Sequence, residues 1–270
     1  MSDGRVAVLL PWNPGPSALP TSSDLMVLDL VRCEVRPTGA DRYLDGTMTG
    51  NFALTEANYS GDLLAFSRFH YDGLVGGPRA LDVRVLDTTS MASPPDRMVP
   101  VYLTSAKLLA NPIPSPAVSD QLVALTRMAG TYDSCEIFWQ TFAGASGTIP
   151  QAACTQAIVA DAGRIAWSDG HVWLFDTGTG QLSQLTTDSS RQQNPSLRGR
   201  LVAYEDDRGD DLDIYALDIT TGVESPVFVG PGDQHLLGIL RDGIVWWSAT
   251  QDGIGVFWNP AFKPTTTAGP

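Results

Sequence analysis

The chain has 270 residues, 43% hydrophobic and 17% charged, with a formal net charge of −13. That balance suits a globular protein able to bury a sizeable core, in one large domain or two small ones, and excludes a disordered acidic polymer. Lys107 and Lys263 are the only lysines and the arginines form no run, which argues against nucleic acid or anionic membranes as partners; no apolar stretch nears the ~20 residues that cross a bilayer.

In chain order, the first predicted strand is GRVAVLL from Gly4, followed by the loop PWNPGPSALPTSS and a second strand, DLMVLD, over Asp24–Asp29. The pattern returns as GDLLAFS, the loop RFHYDGLVGGPRA and DVRVLD over Asp82–Asp87. It returns again as DQLVALT, RMAGTYDSC and EIFWQT over Glu136–Thr141. GRIAWS, the short turn SDG and HVWLFD over His171–Asp176 make a fourth copy. GRLVAYE, DDRGDD and DIYALD over Asp213–Asp218 make a fifth, and GIVWWS with IGVFWN over Ile254–Asn259 a sixth.

The first run of each pair is rich in Val, Leu, Ile and aromatics, as strands covered on both faces are. The second commonly closes on Asp and opens a turn: DTTS after Leu86, DTGTG over Asp176–Gly180, DITTG over Asp218–Gly222. An Asp carboxylate that accepts turn N–H groups, with a Gly free to take positive φ, predicts a tight hairpin. Recurrence at intervals of roughly 35 to 58 residues, with no helical periodicity, predicts a radial array of small sheets. The expected fold is all-β: one domain, a six-bladed β-propeller of four-stranded antiparallel blades, at 1–46, 47–105, 106–152, 153–190, 191–232 and 233–270.

The stretch LTTDSSRQQNPSLRGRLVAYEDDRGDDLDIYALDITTG resembles the TolB-type propeller repeats found in TolB and many bacterial and archaeal surface proteins. Such repeats show Leu-Thr, Gln-x-x-Pro, a Gly-bounded β-run, an Asp-x-Arg-x-Gly loop, Asp-Ile-Tyr and Asp-x-x-Thr-Gly. Here these fall on Leu185-Thr186, Gln192 and Pro195, Gly199, Asp206 to Gly209 (as Asp-Asp-Arg-Gly), Asp213 to Tyr215, and Asp218 to Gly222. The match is close over roughly residues 155 to 250 and faint before 120; its residues build turns and strands, so it speaks for fold and not for a reaction.

In a propeller the loops between second and third strands share one face with the crossovers. The loops of blades one to three are long and those of blades four to six minimal, and long loops on a rigid frame are where recognition concentrates. Trp12, Phe69, His70, Tyr71 and Tyr132 are the candidate binding residues, as aromatic anchors in those loops. Cys135 and Cys154 are expected to emerge on that same face, where a disulfide between them would pin the loops, leaving Cys33 as a spare thiol.

The acidic loop around Asp206, Asp207, Asp210 and Asp211 makes these the weak metal candidates. Its spacing does not fit a calcium loop, and Arg208 and Leu212 occupy alternate ligand positions, so Arg208 paired with a neighbouring carboxylate is the better reading. His70, His171 and His235 have no metal-ligand spacing, the cysteines match no zinc site, and no nucleophile elbow, P-loop or dinucleotide fingerprint occurs. No metal, cofactor or catalytic constellation is therefore expected. Trp139, Trp167, Trp173, Tyr204, Tyr215, Trp246, Trp247 and Trp258 recur at equivalent positions, which predicts core between blades.

Only MSD precedes Gly4 and PAFKPTTTAGP follows Asn259, so either blade one or blade six is expected to lack a strand, or the chain to be a trimmed piece. The resemblance implies a non-catalytic interaction module, extracytoplasmic (periplasmic or cell-surface), presenting the loops of blades one to three to a protein partner. A carbohydrate-binding or glycan-cleaving propeller and a structural part of a cell-surface assembly are the alternatives.

Overall fold

Runs of β-branched and aromatic residues ended by Gly, Pro or Asp are too short for buried helices and form strands. In a computed structural model of the chain, residues 116–128, 135–149, 157–250 and 253–262 are described, together with the strand backbones between residues 5 and 104 and the side chains of residues 63–65, 83 and 85. Each β-rich run named above overlaps a strand, and no helix occurs among the described residues.

The strands form separate antiparallel sheets, each from a consecutive stretch of chain. The first holds β1 (Arg5–Pro11), β2 (Ser23–Asp29) and β3 (Glu34–Pro37). The second holds β4 (Phe52–Ser60), β5 (Leu63–Tyr71), β6 (Pro78–Asp87) and β7 (Arg97–Thr104). The third holds β8 (Ala117–Val118), β9 (Leu122–Met128), β10 (Cys135–Thr141) and β11 (Ser146–Ile149). The fourth holds β12 (Ile158–Asp161), β13 (Arg164–Ser168), β14 (Val172–Asp176) and β15 (Gln181–Gln184). The fifth holds β16 (Gln192–Arg198), β17 (Leu201–Asp206), β18 (Asp213–Asp218) and β19 (Val223–Phe228). The sixth holds β20 (Gln234–Leu240), β21 (Gly243–Thr250) and β22 (Gly253–Asn259). Four-stranded sheets are thus present, and the first and last have three strands each among the described residues. The first begins with the strand that is second in its neighbours, and the last ends with the strand that is third.

Two compact units emerge: Met1–Val118 with Leu122–Gln156, and Ser119–Gln121 with Ala157–Pro270. In the first unit, Ala65, Val83, Val85, Val118, Val123 and Leu125 form a core against which Leu63, Phe138 and Phe142 pack. In the second unit, β17 is buried at every position, because its sheet is sandwiched. One of its faces joins Val202 and Tyr204, with Tyr215 and Leu217 of β18, to Ala166 and Val172 of the fourth sheet. The other joins Leu201, Ala203, Ile214 and Ala216 to Leu236, Ile239, Ile244 and Trp246 of the sixth. The larger of these apolar side chains contribute about 1.5–3 kcal/mol each on burial.

Local chemistry sets the turns. The Asp176 carboxylate accepts the N–H groups of Gly178 and Thr179, and Asp218 accepts that of Thr220. Gly180 and Gly222 close these turns at φ +73° and +71°, a region open to Gly at no steric cost. In the second unit, Gly199 N–H donates to Asp161 at 2.7 Å while Arg164 donates to the Gly199 carbonyl at 2.5 Å, latching the fourth sheet to the fifth.

Several loop expectations change. Phe69, His70 and Tyr71 belong to β5, and Pro78 already begins β6, so they are not loop residues. The run RFHY is β-prone and extends the strand, leaving only residues 72–77 as the connection. Trp12 and Tyr132 lie outside the described residues. Among the recurrent aromatics, Trp167, Tyr204, Tyr215 and Trp246 are buried, whereas Trp139, Trp173 and Trp247 are half-buried and Trp258 is exposed.

Candidate functional site

Described polar side chains converge at the end of the second unit where the β17–β18 loop emerges. One cluster centres on Gln192, the first residue of β16, which is fully buried. Its amide nitrogen donates to Asp206 at 3.0 Å and to the Ser190 carbonyl at 2.8 Å. Its amide oxygen accepts from the Thr186 hydroxyl at 2.9 Å and lies 3.1 Å from His171 Nδ1. Ser168 donates its hydroxyl to the Gln192 carbonyl.

Asp206, also fully buried, receives the backbone N–H of Arg208 at 2.8 Å and its guanidinium at 2.7 Å. Burial alone would raise the Asp206 carboxyl, but the bonds from Arg208 and Gln192 outweigh it and hold the group below the usual range. Arg208 also donates to Glu224 at 2.7 Å and lies over the Tyr215 ring at 3.9 Å. Tyr204 donates its hydroxyl to the same Glu224, and burial together with that carboxylate pushes its phenol above the usual value.

The weak metal candidates are distributed along this loop. Asp206 is committed to Arg208, Asp207 accepts the N–H of Arg191 at 2.7 Å, and Asp211 accepts that of Gly232 at 2.6 Å. Asp210 is exposed at φ +77°. Among the described residues no group of three or more His, Cys, Asp or Glu is placed to hold a metal.

A second cluster surrounds Glu205, which sequence reading had not singled out. Its buried carboxylate accepts from Asn194 Nδ2 and the Leu236 N–H, both at 2.8 Å, and from Gln193 Nε2 at 3.2 Å. Asn194 sits at φ +48° where the β16–β17 register shifts, a conformation that Asn tolerates better than most residues. The half-exposed His235 places Nδ1 3.8 Å from Glu205 and its ring over Trp247, with centroids 4.3 Å apart. A buried acid thus backs an imidazole lying on an indole, presenting a polar edge and an aromatic face together. His235 and Trp247 face each other in the sixth sheet as Gln193 and Glu205 do in the fifth, but only folding joins residues 194, 205, 235 and 247.

Cys135, buried at the start of β10, is disulfide-bonded. Cys154 and Cys33 lie outside the described residues.

No protein-family model and no curated protein matches the chain. Solved structures do. TolB from Acinetobacter baumannii aligns over 95% of this chain and 64% of its own, at 13% identity and TM-score 0.55. An acylaminoacyl peptidase from Pyrococcus horikoshii aligns over 95% of this chain and 42% of its own, at 10% identity and TM-score 0.59. The β-propeller domain of the Trilobed protease from Pyrococcus furiosus, which has an open velcro topology, aligns over 99% of this chain and 81% of its own, at 11% identity and TM-score 0.59. The chain is therefore similar to β-propeller domains, and it spans less than two thirds of TolB and less than half of the peptidase.

These matches correct the functional expectation. Peptidases, among them acylaminoacyl, prolyl and dipeptidyl ones, recur among the matched structures, so a non-catalytic scaffold offering loops to a protein partner is not the role they point to. The repeat motif misled because its residues make turns and strands common to every such propeller.

Proposed function

We propose that this chain is the propeller part of a peptide-hydrolysing enzyme, with its sheets as the blades of one six-bladed ring that admits and orients peptide for a hydrolytic centre. The observation that carries this reading is breadth: peptidase chains align over 88–98% of this chain, while it spans 40–47% of theirs. The Glu205–His235–Trp247 cluster supplies fitting chemistry, an imidazole for a peptide's amide or terminal groups and an indole face for an apolar side chain. The disulfide at Cys135 favours an oxidising, extracytoplasmic compartment. No helix among the described residues is long and apolar enough to cross a membrane.

The test is to isolate the native protein that carries this chain. It is assayed with chromogenic acylaminoacyl, dipeptidyl and prolyl peptides and with a fluorophosphonate probe. Hydrolysis of a short peptide with probe labelling is expected, and His235→Ala should raise KM more than it lowers kcat. A native protein that neither labels nor cleaves any of these peptides would overturn the reading.

A further inference from the structure

Gln234 opens β20 as Gln192 opens β16, and both are fully buried. Each is anchored to the preceding sheet in the same way. The Gln192 N–H donates to the Gly170 carbonyl at 2.8 Å, and the Gln234 N–H to the Leu212 carbonyl at 2.7 Å. The residues that follow those carbonyls, His171 and Asp213, therefore take corresponding places.

The two side-chain amides differ in what reaches their oxygens. Gln192 Oε1 has the Thr186 hydroxyl and His171 Nδ1 beside it. Gln234 Oε1 has no donor among the described residues: residues 227–229 carry no hydroxyl, and Asp213 stands where the imidazole would be. Turning the amide over does not help. Its Nε2 donates to the Pro231 carbonyl at 3.3 Å and to that of Gly232, so an oxygen there would face two other oxygens. The fold thus brings a carboxyl only 2% exposed and a buried amide oxygen to one corner of the sheet junction, with no hydrogen to share.

We propose that Asp213, in its protonated form, supplies the missing donor to Gln234 Oε1, so that a proton-operated latch closed by acid joins the fifth and sixth sheets. The same carboxyl accepts the Gly230 N–H at 3.1 Å, so the closed latch holds the β19–β20 crossover at both Gly230 and Gln234. Burial pushes the Asp213 carboxyl above the usual value against the pull of the Gly230 N–H; Asp211 and Asp206 add to the rise and Arg208 opposes it. Asp233 is the acid of the crossover, where it accepts the Leu212 N–H at 3.0 Å, and in β20 His235 is directed at Glu205. Because the folded value is the higher one, the stabilisation is complete below the unfolded 3.8 and is lost as pH rises through the folded value. Above it the carboxylate has no hydrogen to give, and Gln234 Oε1 stays unpartnered.

The test compares the intact chain with Asp213→Asn, whose amide can keep both bonds at every pH. Urea midpoints are taken from about pH 4 to about pH 8, and the Asp213 carboxyl carbon of the unsubstituted chain is followed by NMR. That carbon is expected to titrate above the ordinary aspartates. The variant should match the parent near the acid end and have an unfolding constant about fivefold smaller near the alkaline end, the worth of one buried hydrogen bond. A carboxyl carbon that titrates with the ordinary aspartates, a variant less stable than the parent at the alkaline end, or a difference that is the same at every pH would each overturn the proposal.

Discussion

The fifth and sixth sheets are built from the same repeat and end in opposite conditions. In the fifth, β17 and β18 are closed in by apolar neighbours on both sides, and the polar end groups are fully used: Gln192 is bonded through both amide atoms and Asp206 is neutralised by Arg208. In the sixth, Gln234 stands where Gln192 stands and is as deeply buried, yet its amide oxygen has no partner among the described residues. Trp246 Nε1 is likewise buried without one. Position in the repeat fixes the strand; neighbours fix how much that strand stabilises. The same residue type at the same register is therefore worth very different amounts in the two sheets.

Substitutions at paired positions test that contrast. Ile214→Ala should cost about 3 kcal/mol, against less than about 0.5 kcal/mol for Val256→Ala at the matching exposed site. Equal losses would erase the distinction between the sheets. Asp206→Ala removes one of the two carboxylates that Arg208 meets at 2.7 Å, leaving Glu224 to hold the part-exposed guanidinium, and should cost about 2 kcal/mol in urea denaturation; a cost below about 0.5 kcal/mol would mean the ion pair is not what closes the fifth sheet. Gln192→Leu removes bonds from both amide atoms, to Asp206, Ser190 and Thr186, and should cost about 2 kcal/mol, whereas Gln234→Leu loses only the Nε2 bonds to the Pro231 and Gly232 carbonyls, its oxygen being unpartnered, and should cost about 1 kcal/mol by the same midpoint measurement.

The smallest effect is a pH dependence. Burial and Glu224 raise the Tyr204 phenol above the usual 10.0, so its stabilisation is complete below about pH 10 and is lost above it, as unfolded chains ionise first. Tyr204→Phe should flatten the fall in thermal midpoint above that pH. An unchanged slope would show that Tyr204 is not shielded from ionisation.

Much of the strand content was legible because it is local. Runs such as RLVAYE and DIYALD state their own period and propensity, and the Asp-to-Gly turns at 176–180 and 218–222 carry their hydrogen-bond partners within themselves. The pairing of Arg208 with a carboxylate was legible for the same reason, a single residue separating it from Asp206. What joins distant stretches was not. Glu205 meets Leu236 and His235 across a sheet boundary, and no spacing rule points from residue 205 to residue 236. Phe69, His70 and Tyr71 were read as loop because glycines follow them, although their own propensity is extended. Trp258 matched buried aromatics in the other repeats, but burial depends on the next layer, which a repeat pattern does not specify. Function was least legible, since turn-building residues serve peptidase propellers and TolB alike.

Native-state hydrogen exchange of the intact chain, resolved along residues 213–218 and 253–259, tests the contrast between the sheets most directly. Amides of β18 should exchange only with global unfolding, and outward-facing amides of β22 faster by orders of magnitude. Protection of β22 as strong as that of β18 would contradict the account, because the two sheets would then be closed in equally.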